Sequence, residues 1–458
     1  MTTNGLGSGL DVNSLVTQLV QAERAPAASR ISSRETKVQS RLSAYGSLRS
    51  TVAEFQATLK KLQSESAFKA RTAQVSNDTL IEATAGTQAA TGLYNVSVEA
   101  LATTQKLASS GFAAATTSVG TGRLDISAGT VNFSVDIAAG KDSLSDIRDA
   151  INSASGNPGI RATVINASTG SHLVLTAAGS GSAQGITINA VSDPLNGDTG
   201  DLSQLNYNPA ASSNPMEVKT PAADARIQLD GFTLTSPTNT FSSAIDGVTL
   251  VVAKSSPGEN ITININEDRG STRQAIDQFV ASYNKLQSQI NTLTSYNPTT
   301  KVAGQLQGDA VTQRLASVLK SELNTTLAGA SLDLDSLAEL GISSQAKTGA
   351  LTVDTKRLDA VLSTRMSEVS SLFSGSSGLA SRFGKMLDGY AGTSGVIESR
   401  SDSLRSEAKS LTAQKQALDL RMTSLETRYR KQFTTLDSML AGLSNTSSFL
   451  TQQLAKLS

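Results

Sequence analysis

The sequence predicts an α+β multidomain fold: a helical coiled-coil or bundle leg built from both chain ends, carrying an inserted pair of β-rich head domains. Three observations predict it. Apolar residues recur every three and four positions at both ends, as on a helix face, and every two positions in the middle, as on a strand. Seven of the nine prolines (Pro158, Pro194, Pro209, Pro215, Pro221, Pro237 and Pro257) fall between residues 72 and 268, where turns are punctuated and long helices are excluded. That block also holds 8 Lys/Arg against 18 Asp/Glu, leaving 31 against 21 for the two ends, so a net charge of zero hides a partition of −10 and +10. A chain of 458 residues has room for about three domains at ~150 residues each.

The elements follow in order. Asp11 is an N-cap for an apolar run at Leu15, Val16, Leu19 and Val20, expected to stop near Pro26. A second run sets Ile31, Val38, Tyr45, Val52 and Leu59 seven apart, with Leu48, Phe55 and Leu62 at the companion positions. That is a heptad seam, weakened at its start by Arg34 and Arg41. In the middle block, Tyr94/Val96/Val98, Val131/Phe133/Val135/Ile137 and Ile261/Ile263/Ile265 alternate with polar residues and read as strands. Asp230-Gly231 between Ile227/Leu229 and Phe232/Leu234 is a hairpin signal, and Asp246-Gly247 before Val248 and Leu250 is another. One helix interrupts the strands, opening on a Ser143–Asp146 capping box and continuing through Ile147, Ala150 and Ile151. The stretch 192–221, rich in Pro, Asn, Gly and Ser, reads as an exposed loop or linker.

Helical spacing resumes with Ile276, Phe279, Tyr283, Leu286, Ile290 and Leu293. Near the C-terminus Leu404, Leu411, Leu418 and Leu425 form one heptad row, and Met422, Tyr429, Leu436, Leu443, Leu450 and Leu457 the other. Lys415 and Gln432 interrupt this stripe, the pattern of a seam that forms reversibly or in an assembly. The two helical ends are expected to pair with each other. The expected domains are 1–71 (N-terminal helical leg), 72–115 with 222–268 (a discontinuous β-rich head domain), 116–221 (a second β-rich head domain, inserted), 269–399 (a helical bundle) and 400–458 (a C-terminal coiled-coil leg).

Composition excludes several chemistries. There is no Cys, no Trp and one His, which removes disulfide frameworks, Cys-based zinc sites, thiol nucleophiles and most His-dependent catalysis. Aromatics are 4% of the chain, few for stacking platforms. A zero net charge argues against a dedicated nucleic-acid or membrane-surface binder. No window approaches the ~18 apolar residues of a membrane span. The N-terminus lacks a basic n-region with an apolar stretch. A cytosolic location is the conventional reading, with export by a machine that reads an uncleaved end left open.

Local motifs carry bland readings. Gly5-Leu6-Gly7-Ser8-Gly9 lacks the spacing and flanking strand of a phosphate loop and reads as a lead-in to the Asp11 cap. Asp193-Pro194-Leu195-Asn196-Gly197-Asp198-Thr199-Gly200-Asp201 is rich in hard oxygen ligands but out of register for a calcium loop, so it reads as a surface turn. His172 reads as a strand-edge residue, the Asp146/Asp149 pair as complementing a helix dipole, and Arg428-Tyr429-Arg430-Lys431 as a solvated helix face. The signal with weight is the amphipathic ends. Their expected assembly seam, pairing with copies of the chain or with another helical protein, runs through Leu15, Leu19, Ile31, Val38, Tyr45, Leu418, Met422, Leu425, Tyr429, Leu436, Leu443 and Leu450.

Several segments, in order, resemble one family. Gly5-Leu6-Gly7-Ser8-Gly9-Leu10-Asp11 running into Leu15-Val16 and Leu19-Val20, then Ser66-Ala67-Phe68, are similar to the N-terminal segments of the flagellar filament cap family, also called flagellar hook-associated protein 2. Phe279-Val280 with Tyr283-Asn284, Tyr296-Asn297, Gly308-Asp309, and Leu340-Gly341-Ile342 followed by Gly349, Leu351, Val353 and Asp354 resemble its second helical half. Tyr429, Gln432, Phe433 and Asp437 resemble its C-terminal helix, with Leu436 where the pattern expects Met. The block 116–221 matches loosely. The resemblance implies a non-enzymatic, extracellular protein at the flagellum tip, exported without a cleaved signal. It implies a ring-like homo-oligomer, a pentamer, that promotes folding and polymerisation of flagellin and prevents its loss to the medium. The implied partners are other copies, flagellin, the hook–filament junction protein, an export chaperone with the flagellar type III apparatus, and a host mucin or glycan. No cofactor, metal, nucleic acid or membrane insertion is implied. The alternatives are another axial flagellar protein, flagellin or a junction protein, and a surface adhesin with a glycan-binding β head.

Overall fold

The computed structural model of the chain describes residues 11–193, 200–326 and 334–457. Helix α1 (Val12–Gln63) leads into β1 (Arg71–Val75), β2 (Ile81–Ala85), β3 (Gly92–Ala100), β4 (Thr104–Ala108), β5 (Gly122–Ala128) and β6 (Val131–Ile137). Helix α2 (Leu144–Ser153) precedes β7 (Arg161–Ala167), β8 (Gly170–Ser180), β9 (Ile186–Ser192), β10 (Glu217–Thr220), β11 (Ala225–Leu229) and β12 (Phe232–Ser236). Next come β13 (Thr240–Ile245), β14 (Val248–Val252) and β15 (Ser256–Glu267). Then follow α3 (Arg269–Thr294), β16 (Tyr296–Asn297), β17 (Val302–Ala303), α4 (Ala310–Leu323), β18 (Ile342–Ser344) and β19 (Leu351–Val353). Helices α5 (Thr355–Thr364), α6 (Met366–Phe373), α7 (Leu379–Ala391) and α8 (Val396–Leu457) close the chain. A helical unit joins both ends of the chain, up to Phe68 and from Arg269, while Lys69–Asp268 form a β unit.

The β unit holds two cores. In the first, a five-stranded sheet ordered β1-β15-β3-β11-β12 and a three-stranded sheet β13-β14-β2 bury Ile81, Val96, Val98, Ile227, Leu250, Ile261, Ile263 and Ile265. These are the alternate residues that the two-residue period puts on one face. The β11–β12 turn has φ of 45° at Asp230 and 88° at Gly231, the double left-handed geometry of a type I′ hairpin. The Asp230 carboxylate accepts the Asn95 backbone N–H at 2.9 Å, fixing the hairpin tip to β3. In the second core, sheets β10-β4-β8-β7 and β6-β5-β9 enclose Leu107, Leu124, Ile126, Leu173, Leu175 and Ile188, with Leu144, Ile147 and Ile151 of α2. The Ser143 hydroxyl accepts the Asp146 N–H at 3.2 Å, capping α2.

Three expectations change. The stretch 192–221 is not an exposed linker: Leu202, Leu205, Tyr207 and Met216 are buried in the second core, and β10 pairs with β4. Its turn-forming composition hid four well-spaced apolar anchors. The second core also recruits Leu107 and Phe112, ahead of the expected boundary at 116, because β4 pairs with β8 and β10. Finally, α1 does not stop near Pro26 but runs through it. Proline removes one ladder hydrogen bond and crowds the preceding turn at about 3 kcal/mol, a cost that packing along the rest of a 52-residue helix outweighs.

Candidate functional site

The two ends of the chain pair as antiparallel helices. Arg49 of α1 meets Glu398 of α8, Arg24 meets Asp419 at 2.6 Å, Glu23 meets Arg421 at 4.0 Å, and Asn13 accepts from Arg430. Rising numbers on α1 thus match falling numbers on α8. The wide base of this pair belongs to the helical core. There Phe55 packs on Phe279 at 5.7 Å, on Tyr283 at 5.9 Å and on Phe383 at 5.5 Å between ring centroids. Edge and tilted contacts at these distances add to the area buried. Burial pushes the Tyr283 phenol up to about 12. Where α1, α4 and α8 meet, the buried Tyr45 hydroxyl lies against Asp309 and Arg400 without a well-formed hydrogen bond among the described residues. Burial and then Asp309 raise Tyr45. For Asp309 burial acts to raise the carboxyl, yet Tyr45, the Thr312 N–H and hydroxyl, and Arg400 together hold it below the usual carboxylate range.

The twelve seam residues separate into groups along this pair. Val38 and Tyr45 are buried in the helical core and Ile31 packs half-buried against it. Met422 and Leu425 are buried, and Leu418 and Tyr429 are half-buried. Leu15 and Leu19 are exposed, whereas Val16 between them is buried, so α1 turns the Val16 face inward at its start. Leu436, Leu443 and Leu450 are exposed, because α1 begins opposite Arg430 while α8 continues to Leu457. At 1.5 Å per residue that extension is about 40 Å long. Met439, Phe449 and Leu454 are exposed on it too, and continuing the three-and-four spacing past Leu436 reaches Met439 and Leu454. Gln432 and Lys415 are exposed. The side chain of Leu457, the Gly5–Gly9 motif and residues 194–199 of the acidic loop lie outside the described residues.

The remaining motifs are structurally occupied. His172 Nδ1 lies 2.8 Å from the Ser109 carbonyl and Nε2 2.8 Å from the Thr169 hydroxyl. A carbonyl only accepts, so Nδ1–H donates to it and the Thr169 hydroxyl donates to Nε2. The ring thereby ties the 109–112 segment to the β7–β8 hairpin. Asp146 is held below its ordinary range by the Ser143 hydroxyl first and then by Lys141, and Asp149 by Arg148. Asp201 accepts the Ser203 N–H at 3.0 Å. Arg430 pairs with Glu426 at 2.8 Å. Among the described residues no cluster of three or more His, Asp or Glu side chains could hold a metal ion, and no helix is long and apolar enough to cross a membrane.

Comparison with known proteins gives a consistent picture. Residues 8–105 match the family model for the flagellar hook-associated protein 2 N-terminus and residues 222–445 the model for its C-terminus. Residues 123–179 match the flagellin hook IN motif, which falls in the second β core. The chain is 34% identical to the A-type flagellar hook-associated protein 2 of Pseudomonas aeruginosa, covering all of this chain and 98% of that one. It is 32% identical to flagellar hook-associated protein 2 of Escherichia coli K12, covering 98% and 97%. Among solved structures, the D1–D2–D3 domains of the flagellar cap protein FliD from Escherichia coli superpose with a TM-score of 0.65 at 30% identity, covering 79% of this chain and 99% of that one.

Proposed function

This chain belongs to the flagellar hook-associated protein 2 family, and from that membership we infer how its parts work. It is a structural cap of the bacterial flagellar filament, located outside the cell at the filament tip, and its role implies contact with flagellin and oligomeric assembly. We assign it no reaction. The observation that carries our reading of its parts is the exposed apolar stripe Leu436, Met439, Leu443, Leu450 and Leu454 on the extension of α8. Amphipathic helices of this kind seldom stay uncovered in a working assembly. With Leu15 and Leu19 it forms the seam that engages a neighbouring copy or an entering flagellin, while Val38, Tyr45, Met422 and Leu425 keep the helical pair itself together.

Gln432 on the extension keeps such contacts weak, and Lys415 does the same for the helical pair itself. Affinity among related interfaces is set mostly by the dissociation rate, so a polar interruption favours release and rebinding as each subunit is added. A pentameric ring, a contact with the hook–filament junction protein, export through the flagellar type III apparatus with a chaperone, and binding of a host mucin or glycan by the β unit complete the proposal. These last rest on family resemblance.

The test is a deletion strain restored with the full gene or with a version ending after residue 430. The full gene should return filaments to the cells. The shortened one should shed flagellin as monomer into the medium. Normal filaments from the shortened version would refute the role given to the α8 extension, and normal filaments without the gene would refute capping.

A further inference from the structure

The paired ends are unevenly packed. On α1 no residue between Val16 and Val38 is buried, and on α8 none between Leu411 and Met422 is buried. Pro26 sits inside this loose stretch, and the register set by Arg24–Asp419 and Glu23–Arg421 places it opposite residues 417–418. Proline has no N–H to give the Ala22 carbonyl, so the ladder is interrupted there, and sharp helix kinks are almost always found at such interruptions. The facing stretch of α8 offers Gln414, Lys415, Gln416 and Ala417, all exposed, and the cover beside the proline is limited to the half-buried Ala27, Ala28 and Leu418. Beyond the stretch, burial returns at Val16, Met422 and Leu425. The ion pairs that flank it are half exposed and therefore weak constraints.

We propose that the helical pair carries a built-in hinge at Pro26 and the facing 412–417 run, about which the outer segment, residues 12–25 with 418–430, swings as a unit against the inner bundle. The inner side is anchored by Val38, Tyr45, Leu404 and Leu411 in the helical core. The outer segment of α1 is a lever of about 20 Å, so a kink of more than about 20° moves its tip by about 7 Å. On the capping reading, the hinge lets the outer leg yield to an entering subunit without unpacking the bundle; the hinge itself is measurable whether or not that reading holds.

The absence of Cys makes the full chain suited to spin labelling, diluted with unlabelled chain to suppress distances between copies. Labels at Gln18→Cys and Ser43→Cys span the hinge at about 38 Å, and labels at Ser43→Cys and Lys60→Cys span the inner bundle at about 26 Å. Electron–electron double resonance should give a distance distribution across the hinge at least about twofold broader than within the bundle, narrowing on Pro26→Ala, which removes the interruption. Labels at Gln18→Cys and Arg428→Cys, both in the outer segment, should give a narrow distribution. Equal widths across the hinge and within the bundle, no narrowing with Pro26→Ala, or a broad 18–428 distribution showing the outer pair unzipped would each overturn the proposal.

Discussion

Replacing Leu443 and Leu450 together with Gln should abolish capping while leaving the chain folded. The two side chains lie on one heptad row of the α8 extension and are 62% and 55% exposed. Gln is about as good a helix former as Leu, so the helix itself loses little, and surface substitutions that break no packing stay within about 0.5 kcal/mol. The loss falls on whatever covers the stripe. A fully buried Leu contributes about 1.5–3 kcal/mol, so covering the fraction still exposed gives about 1–2 kcal/mol per residue. The pair then contributes about 2–4 kcal/mol to each contact, or roughly 30- to 1,000-fold in affinity at about 1.4 kcal/mol per decade. Circular dichroism and a urea titration of the purified chain should overlay the parent. Cells carrying the variant should shed flagellin into the medium and bear short filaments or none. Leu48→Gln, at a fully buried position, should instead lower the urea midpoint, separating a folding defect from an assembly defect. If the double variant keeps filaments of parental length and no flagellin appears in the medium, the α8 stripe is not an assembly surface.

Phe279→Ala empties the centre of the aromatic cluster around Phe55, Phe373 and Phe383 and should cost about 3–5 kcal/mol, read as a lower urea midpoint at unchanged slope; a loss under about 1 kcal/mol would show that the cluster collapses to fill the space. Because burial raises the folded pKa of Tyr283 to about 12 and also raises Tyr45, the stability these groups supply is complete below an unfolded pKa of about 10 and is lost as pH rises from there toward 12. The alkaline loss from Tyr283 alone is on the order of 2–3 kcal/mol, Tyr45 adds to it, and Tyr45→Phe with Tyr283→Phe should flatten the fall; an equally steep fall in that variant would place its cause elsewhere. Lys415→Leu with Gln432→Leu should tighten the interrupted stripe and slow filament growth, measured as filament length against time. Unchanged growth would show that release of helical contacts does not limit the rate.

How much of this was legible in the sequence depends on what each residue's signal competes with. The rows from Val38 to Leu62 and from Ile276 to Leu293 read correctly because every member meets the same core; a period fixes a face, and one core fixes which face matters. Val131, Phe133, Val135 and Ile137 read as a strand because three of the four meet one core. Of these, Phe133, Val135 and Ile137 are buried, while Val131, at the hairpin end, is exposed. The stretch 192–221 misled because turn-forming residues outnumber its four core anchors, and backbone direction follows the majority whereas burial follows the few. The strand 104–108 joins the second β core, beyond the boundary that composition suggests, because its partners lie at 174–180 and 217–220, a pairing that no local pattern carries.

The seam shows a different limit. A heptad counts 3.5 residues per turn and a straight helix 3.6, so a stripe drifts by about 20° with each heptad, and Pro26 interrupts the helix between Leu19 and Ile31. Phase carried back from the strong rows of the core therefore arrives at residues 15–19 displaced, and Val16 rather than Leu15 or Leu19 turns inward. On α8 the phase holds, and the stripe that continues past Arg430 is the same one that α1 covers before it. Leu436 through Leu454 thus differ from Met422 and Leu425 in coverage and not in pattern, so the stripe that closes the helical pair within a chain continues beyond it as the surface we propose for assembly.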